Sequence, residues 1–178
     1  QTHEYSNKLY TISGLIQIGD YQKAIDLISS ESSGYQELIH NLMQIVPDPV
    51  VAGVILGKYS RAQELKVQFE IDTNSSMKDI PDDIQRDKLV TIIGNLLDNA
   101  FEAVLNAGNK KCLVLLSMTD LGNDLIFEVD DSGNGLDGEN YRQLFEQGFS
   151  TKNEPGSGMG LFLLERALNS LKGSVIVN

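Results

Sequence analysis

The chain has 178 residues, 41% of them hydrophobic, and a formal charge of -11 from 25 acidic against 14 basic side chains. That length and composition suit one globular domain, or a small helical piece joined to a domain of about 130 residues, and exclude a low-complexity or disordered chain. The acidic balance argues against nucleic acid as a partner, and the lone Cys112 excludes an internal disulfide and a cysteine metal site, in keeping with a reducing, cytoplasmic setting.

Residues 3–18 are predicted to be helical, because Tyr5, Leu9, Ile12 and Ile16 recur at spacings of three and four and make one apolar stripe. At about 100° per residue His3 lies about 150° from that stripe, so His3 and Asn7 point outward. Gly19 supplies a stop and Asp20 a new N-cap. A second helix is expected over 21–46, where Tyr21, Ala24, Ile28, Tyr35, Leu38, Leu42 and Ile45 keep near-heptad spacing; His40 falls on its surface. The short link makes the two helices antiparallel. Two single stripes cannot enclose a core, so the hairpin is expected to pair with a second copy as a four-helix bundle; the alternative is packing against its own chain.

Pro47 and Pro49 mark a boundary, giving a helical hairpin over 1–46 and a mixed α/β domain over 50–178. In the second part 50–65 and 82–107 read as helices and 66–71 as a strand. Strands over 112–119 and 124–130 are expected to pair across Gly122 and Asn123. A short helix near 139–147 and a helix over 159–171 follow, and the ending Ser-Val-Ile-Val-Asn reads as a strand cut short, as expected of a C-terminally truncated domain. No apolar run reaches the about 20 residues that span a bilayer, and the first residues lack the pattern of a signal peptide. A start without Met in mid-helix pattern is expected of a piece of a longer protein.

Three stretches carry chemistry. Asn95 and Asn99, four apart, share a helix face on which Asn is a poor former; their amides suit Mg²⁺ or phosphate, or equally a solvated polar face. At the end of a strand, Asp131 can accept a hydrogen bond from an exocyclic amino group, with Gly133 and Gly135 allowing close approach of a flat ring. The same Asp-Ser-Gly-Asn-Gly is also a common turn composition. Gly156, Gly158 and Gly160 lead into an apolar-periodic helix whose first amides favour a polyphosphate; the plain alternative is a glycine hinge.

Taken together and in this order, the three motifs resemble the GHKL ATPases. The resemblance implies an α+β fold in which the helical hairpin precedes a left-handed α/β sandwich of the Bergerat ATP-binding type. Phe145 and Phe149 resemble the kinase F box, and His3-Glu4-Tyr5-Ser6-Asn7-Lys8-Leu9 resembles the H box of sensor histidine kinases. AGVILGKYSRAQEL and GNLLDNAFEA look most like the citrate and C4-dicarboxylate sensing branch.

That family resemblance implies ATP and Mg²⁺ as cofactors, with Asp131 on the adenine amino group, Asn99 on Mg²⁺ and Asn95 on the phosphates or a metal-bound water. Gly133 and Gly135 would border the base, Gly158 and Gly160 would shape the phosphate lid, and Lys152 would reach a phosphate or stay solvated. His3 would accept the γ-phosphate, and Glu4 would act as base or orienter, or be a solvated carboxylate. Asn7 would align water for dephosphorylating a partner, or have no role. The implied partners are a second copy through the hairpin and an aspartate of a response regulator receiver domain. The parent protein would be anchored in the inner membrane through upstream regions, with the kinase core in the cytoplasm. Two other readings stay open: a nucleotide-binding dimeric scaffold with an idle His3, and a GHKL ATPase or serine kinase.

Overall fold

The computed structural model describes residues 2–29, 35–108, 112–135, 145 and 159–177, with the backbone alone for 2–8, 29, 35 and 36. The chain separates into two units, Gln1–Leu42 and Met43–Asn178.

In the first unit α1 (Thr2–Gln17) ends where the sequence changes chemistry. Gly19 takes φ +80°, which a side chain would resist. This lets the Gly19 N–H donate to the Ile16 carbonyl at 3.1 Å and the Asp20 N–H to the Leu15 carbonyl at 2.9 Å. Asp20 then opens α2 (Tyr21–Ser29), its carboxylate accepting from the Lys23 N–H at 3.3 Å and pairing with Lys23 Nζ at 2.7 Å. The Lys23 ammonium holds the Asp20 carboxyl below the usual carboxylate range. α1 and α2 pack on each other. Where the sequence suggested one helix over 21–46, the described residues form α2 and a separate α3 (Tyr35–Ile45); residues 30–34 lie outside the described part.

In the second unit Asp48 accepts from the N–H groups of Val50 and Val51, both at 3.0 Å, and Pro49 starts α4 (Pro49–Leu65), where its missing N–H costs nothing. β1 (Gln68–Ile71) follows, then α5 (Arg86–Asn106), β2 (Leu113–Thr119), β3 (Ile126–Asp131) and α6 (Gly160–Ser170). The sheet order is β1-β2-β3, with β1 parallel and β2 antiparallel to its neighbour. Successive side chains alternate faces, so Phe69, Val114, Leu116 and Met118 turn inward and are buried. Central to the packing is α5, which touches β2, β3, α4 and α6. Its Leu89, Ile92, Ile93, Leu97, Ala100, Phe101 and Val104 make the buried stripe, and Phe101 meets Phe69 edge-on at 5.6 Å.

Polar clips fix the ends of this layer. Arg86 Nε donates to Asp48 Oδ2 at 2.7 Å, while its other nitrogens donate to the carbonyls of Ile80, Pro81 and Ile84. Burial pushes the Asp48 carboxyl up, but the Val51 amide, the Arg86 guanidinium and the Val50 amide outweigh it and hold it below the usual range. Asp120 at the end of β2 accepts from the Asp79 N–H at 2.8 Å and the Lys78 N–H at 2.6 Å, and these amides lower its carboxyl as well.

The cut-short strand expected at the end of the chain is not formed. Residues 173–177 carry no ladder, and Ile176 is exposed. A Val-Ile-Val run has strand propensity, yet a strand exists only when a neighbouring edge takes up its hydrogen bonds. The short helix expected near 139–147 lies outside the described residues except for Phe145.

Candidate functional site

The site is built on one ridge of α5. Asn95, Asn99 and Ala103 stand four residues apart and therefore line up along the helix. Asn95 Nδ2 donates to the Thr91 carbonyl at 2.7 Å, one turn earlier, which commits the amide nitrogen and leaves Oδ1 outward. The start of α6 comes down on this oxygen. A methyl group on Gly160 would stand 2.9 Å from Asn95 Oδ1 and 3.8 Å from Asn99 Oδ1, so only glycine permits the approach without displacement. The first amides of α6 have no acceptor within their own helix. Asn99 Nδ2 is buried without a hydrogen-bond partner among the described residues. A buried donor left so costs about 1–3 kcal/mol, a cost that an incoming acceptor oxygen would relieve.

The other end of the ridge meets the turn after β3. Asp131 lies opposite Val114 in the ladder, and cross-strand partners share a face, so it stands on the α5 side of the sheet. Its Oδ1 accepts from the Gly133 N–H at 2.8 Å, a local turn that fixes the carboxylate. Ser132 ties the strand end to β2: its N–H donates to the Leu113 carbonyl, and its Oγ accepts from the Leu113 N–H, each at 3.0 Å. A methyl group on Gly133 would stand 2.6 Å from Asp131 Oδ1 and 3.1 Å from Ala103 Cβ. Gly135 follows at φ +70°.

Asn95, Asn99 and Gly160 thus meet at one end of the ridge, and Asp131 and Gly133 at the other. Lys152, Gly158 and Phe149 lie outside the described residues. His3, Glu4 and Asn7 fall in the first turns of α1, where only the backbone is described. Sequence reasoning missed Thr91, which orients Asn95, and Ala103, which meets Gly133. Continuing the four-residue spacing in both directions from Asn95 and Asn99 would have found both.

Chemically, the ridge offers hard amide oxygens and one unsatisfied donor beside helix-start amides, and a fixed carboxylate one or two turns along α5. Among the described residues no group of three or more His, Cys, Asp or Glu gathers for a metal. The oxygens of Asn95 and Asn99 fit a hard cation that keeps most of its coordination for phosphates and water. No helix of the described residues is long and apolar enough to cross a membrane.

Residues 84–178 match the family described as histidine kinase-, DNA gyrase B-, and HSP90-like ATPase. The chain is similar to the sensor protein CitS of Halalkalibacterium halodurans, 45% identical over 99% of this chain and 33% of that protein. It is similar also to the sensor histidine kinase CitA of Klebsiella pneumoniae, 32% identical over 98% of this chain and 32% of that protein. The chain therefore spans about a third of the length of these relatives. In fold it resembles the catalytic domain of the histidine kinase ThkA, with a TM-score of 0.51 and 20% identity over 68% of this chain and 75% of that one.

Proposed function

The chain belongs to the family of histidine kinase-, DNA gyrase B-, and HSP90-like ATPases, and on that footing we propose that it is the kinase core of a sensor histidine kinase. ATP lies along the α5 ridge, with the adenine amino group on Asp131 beside Gly133 and Gly135. The phosphates lie toward Asn95, Asn99 and the start of α6. The observation that carries this reading is the meeting of two distant glycines, Gly133 and Gly160, with one ridge of α5. Asn99 would hold Mg²⁺, with Asn95 on the phosphates or a metal-bound water, and the ion would supply charge neutralisation to the phosphates when bound.

His3 is the phosphate acceptor. An unperturbed histidine side chain is largely neutral near pH 7, which leaves a ring nitrogen free to attack. One ring nitrogen forms a bond to the γ-phosphorus as the bond to the bridging oxygen breaks, and that electron pair leaves with ADP. The proton of the other ring nitrogen passes to Glu4. The labile P–N bond then yields the phosphoryl group to an aspartate oxygen of a response regulator receiver domain, and Asn7 aligns water for removing it again. The exposed stripe of α1 and α2 pairs with a second copy. The parent protein, like its relatives about three times as long, carries this core on the cytoplasmic side of a membrane.

Incubation with γ-³²P ATP and Mg²⁺ tests the reading. The expected label is acid-labile and base-stable and is absent from His3→Gln. An acid-stable label, free phosphate alone, or full labelling of His3→Gln would overturn it.

A further inference from the structure

We propose that Ala103 is a specificity-determining position: its methyl group seats Gly133 and thereby holds the Asp131 carboxylate where it selects a purine with an amino group at C6. The inference rests on the reading of Asp131 given above. Gly133 is wedged, since a methyl group there would stand 2.6 Å from Asp131 Oδ1, 3.1 Å from Ala103 Cβ and 3.2 Å from the Ala103 backbone carbon. The turn therefore has no slack toward α5. It cannot slide along the strand either, because the reciprocal hydrogen bonds of Ser132 and Leu113 pin the last residues of β3 to β2. Bulk added at position 103 on the side of Gly133 pushes residues 133–135 away from the helix. That shift carries the Gly133 N–H with it, and this N–H is what fixes Asp131 Oδ1. The carboxylate then turns, and the oxygen left to accept from the base moves off its line. Position 103 lies one turn beyond Asn99 on the same ridge, so the phosphate end at Asn95 and Gly160 is left as it was.

The measurement compares the affinity of the full chain for ATP and for inosine triphosphate, which carries a carbonyl in place of the C6 amino group. Ala103→Leu is expected to weaken ATP binding about tenfold, the size of one misplaced hydrogen bond, with little change for inosine triphosphate. Its preference for ATP falls to that of Asp131→Asn. Across Ala103→Ser, Ala103→Val and Ala103→Leu the preference declines in the order of added bulk, so the series decides even if the leucine variant folds poorly. An unchanged preference in the valine and leucine variants overturns the proposal, as does an equal loss of both nucleotides. The Asp131 reading fails separately: the unsubstituted chain then shows no preference for ATP, or Asp131→Asn keeps it, and the Ala103 proposal falls with it.

Discussion

The two units of the chain place their apolar residues in opposite ways. In Met43–Asn178 the large side chains go inside: Ile55, Met77, Ile93, Leu97, Phe101, Val114, Leu116 and Leu164 are all almost fully buried. In Gln1–Leu42 the described side chains include only Ala24 and Leu42 as buried residues, while Leu9, Ile16, Ile18, Tyr21 and Ile28 stand exposed. A helix layer over a sheet can enclose a core within one chain, whereas helices with one stripe each need another surface. The contrast separates a unit that encloses its own core from a helical unit whose described apolar side chains stand uncovered, as the proposed pairing with a second copy requires.

Three substitutions can break or sharpen that contrast. Leu97→Ala removes a fully buried side chain of α5 and should cost about 3–4 kcal/mol. Thermal unfolding should show the loss in the second unit, with self-association retained at temperatures where the first unit is folded; a loss confined to self-association would invert the comparison. Ile16→Ser exchanges a half-exposed residue of the α1 stripe and should weaken dimerisation by about 2 kcal/mol, the worth of one apolar side chain buried on pairing. Sedimentation should detect it; an equally large fall in the melting of the second unit would count against independent cores.

The third and smallest effect comes from Asp48→Ala, which removes the α4 cap and the partner of Arg86 and should cost about 1–2 kcal/mol at neutral pH. The folded-state pKa of Asp48 is lowered, so its stabilisation is present above the unfolded value near pH 4 and is lost as pH falls through the folded value. Denaturant midpoints of variant and parent should therefore converge under acid. A gap that widens under acid would refute the assignment.

Features settled within a few residues were legible in the sequence. The stop at Gly19 and the cap at Asp20 are local chemistry, and the buried stripe of α5 follows from its spacing. The paired strands across Gly122 also emerge, though their loop is longer than the strand bounds 112–119 and 124–130 would leave, since Asp120 to Leu125 separate β2 from β3. Contacts between distant segments were not legible. The approach of Gly160 to Asn95, the fit of Gly133 on Ala103 and the Arg86–Asp48 clip each depend on the packing of separate elements. The strand expected over Val175, Ile176 and Val177 is not formed, because propensity alone does not supply the pairing that makes a strand. In the site, residue types pointed to the motifs, and only packing revealed the ridge that joins them.

That ridge is the central claim, and titration of Mg²⁺·ATP into the full chain and into Gly160→Val tests it most directly. A side chain at position 160 must push on Asn95 Oδ1, which a methyl group alone would approach to 2.9 Å. Affinity should fall about tenfold or more, the order of a lost hydrogen bond, while the preference for ATP over inosine triphosphate persists because Asp131 and Gly133 are untouched. Unchanged affinity in a folded Gly160→Val would contradict a nucleotide held along α5.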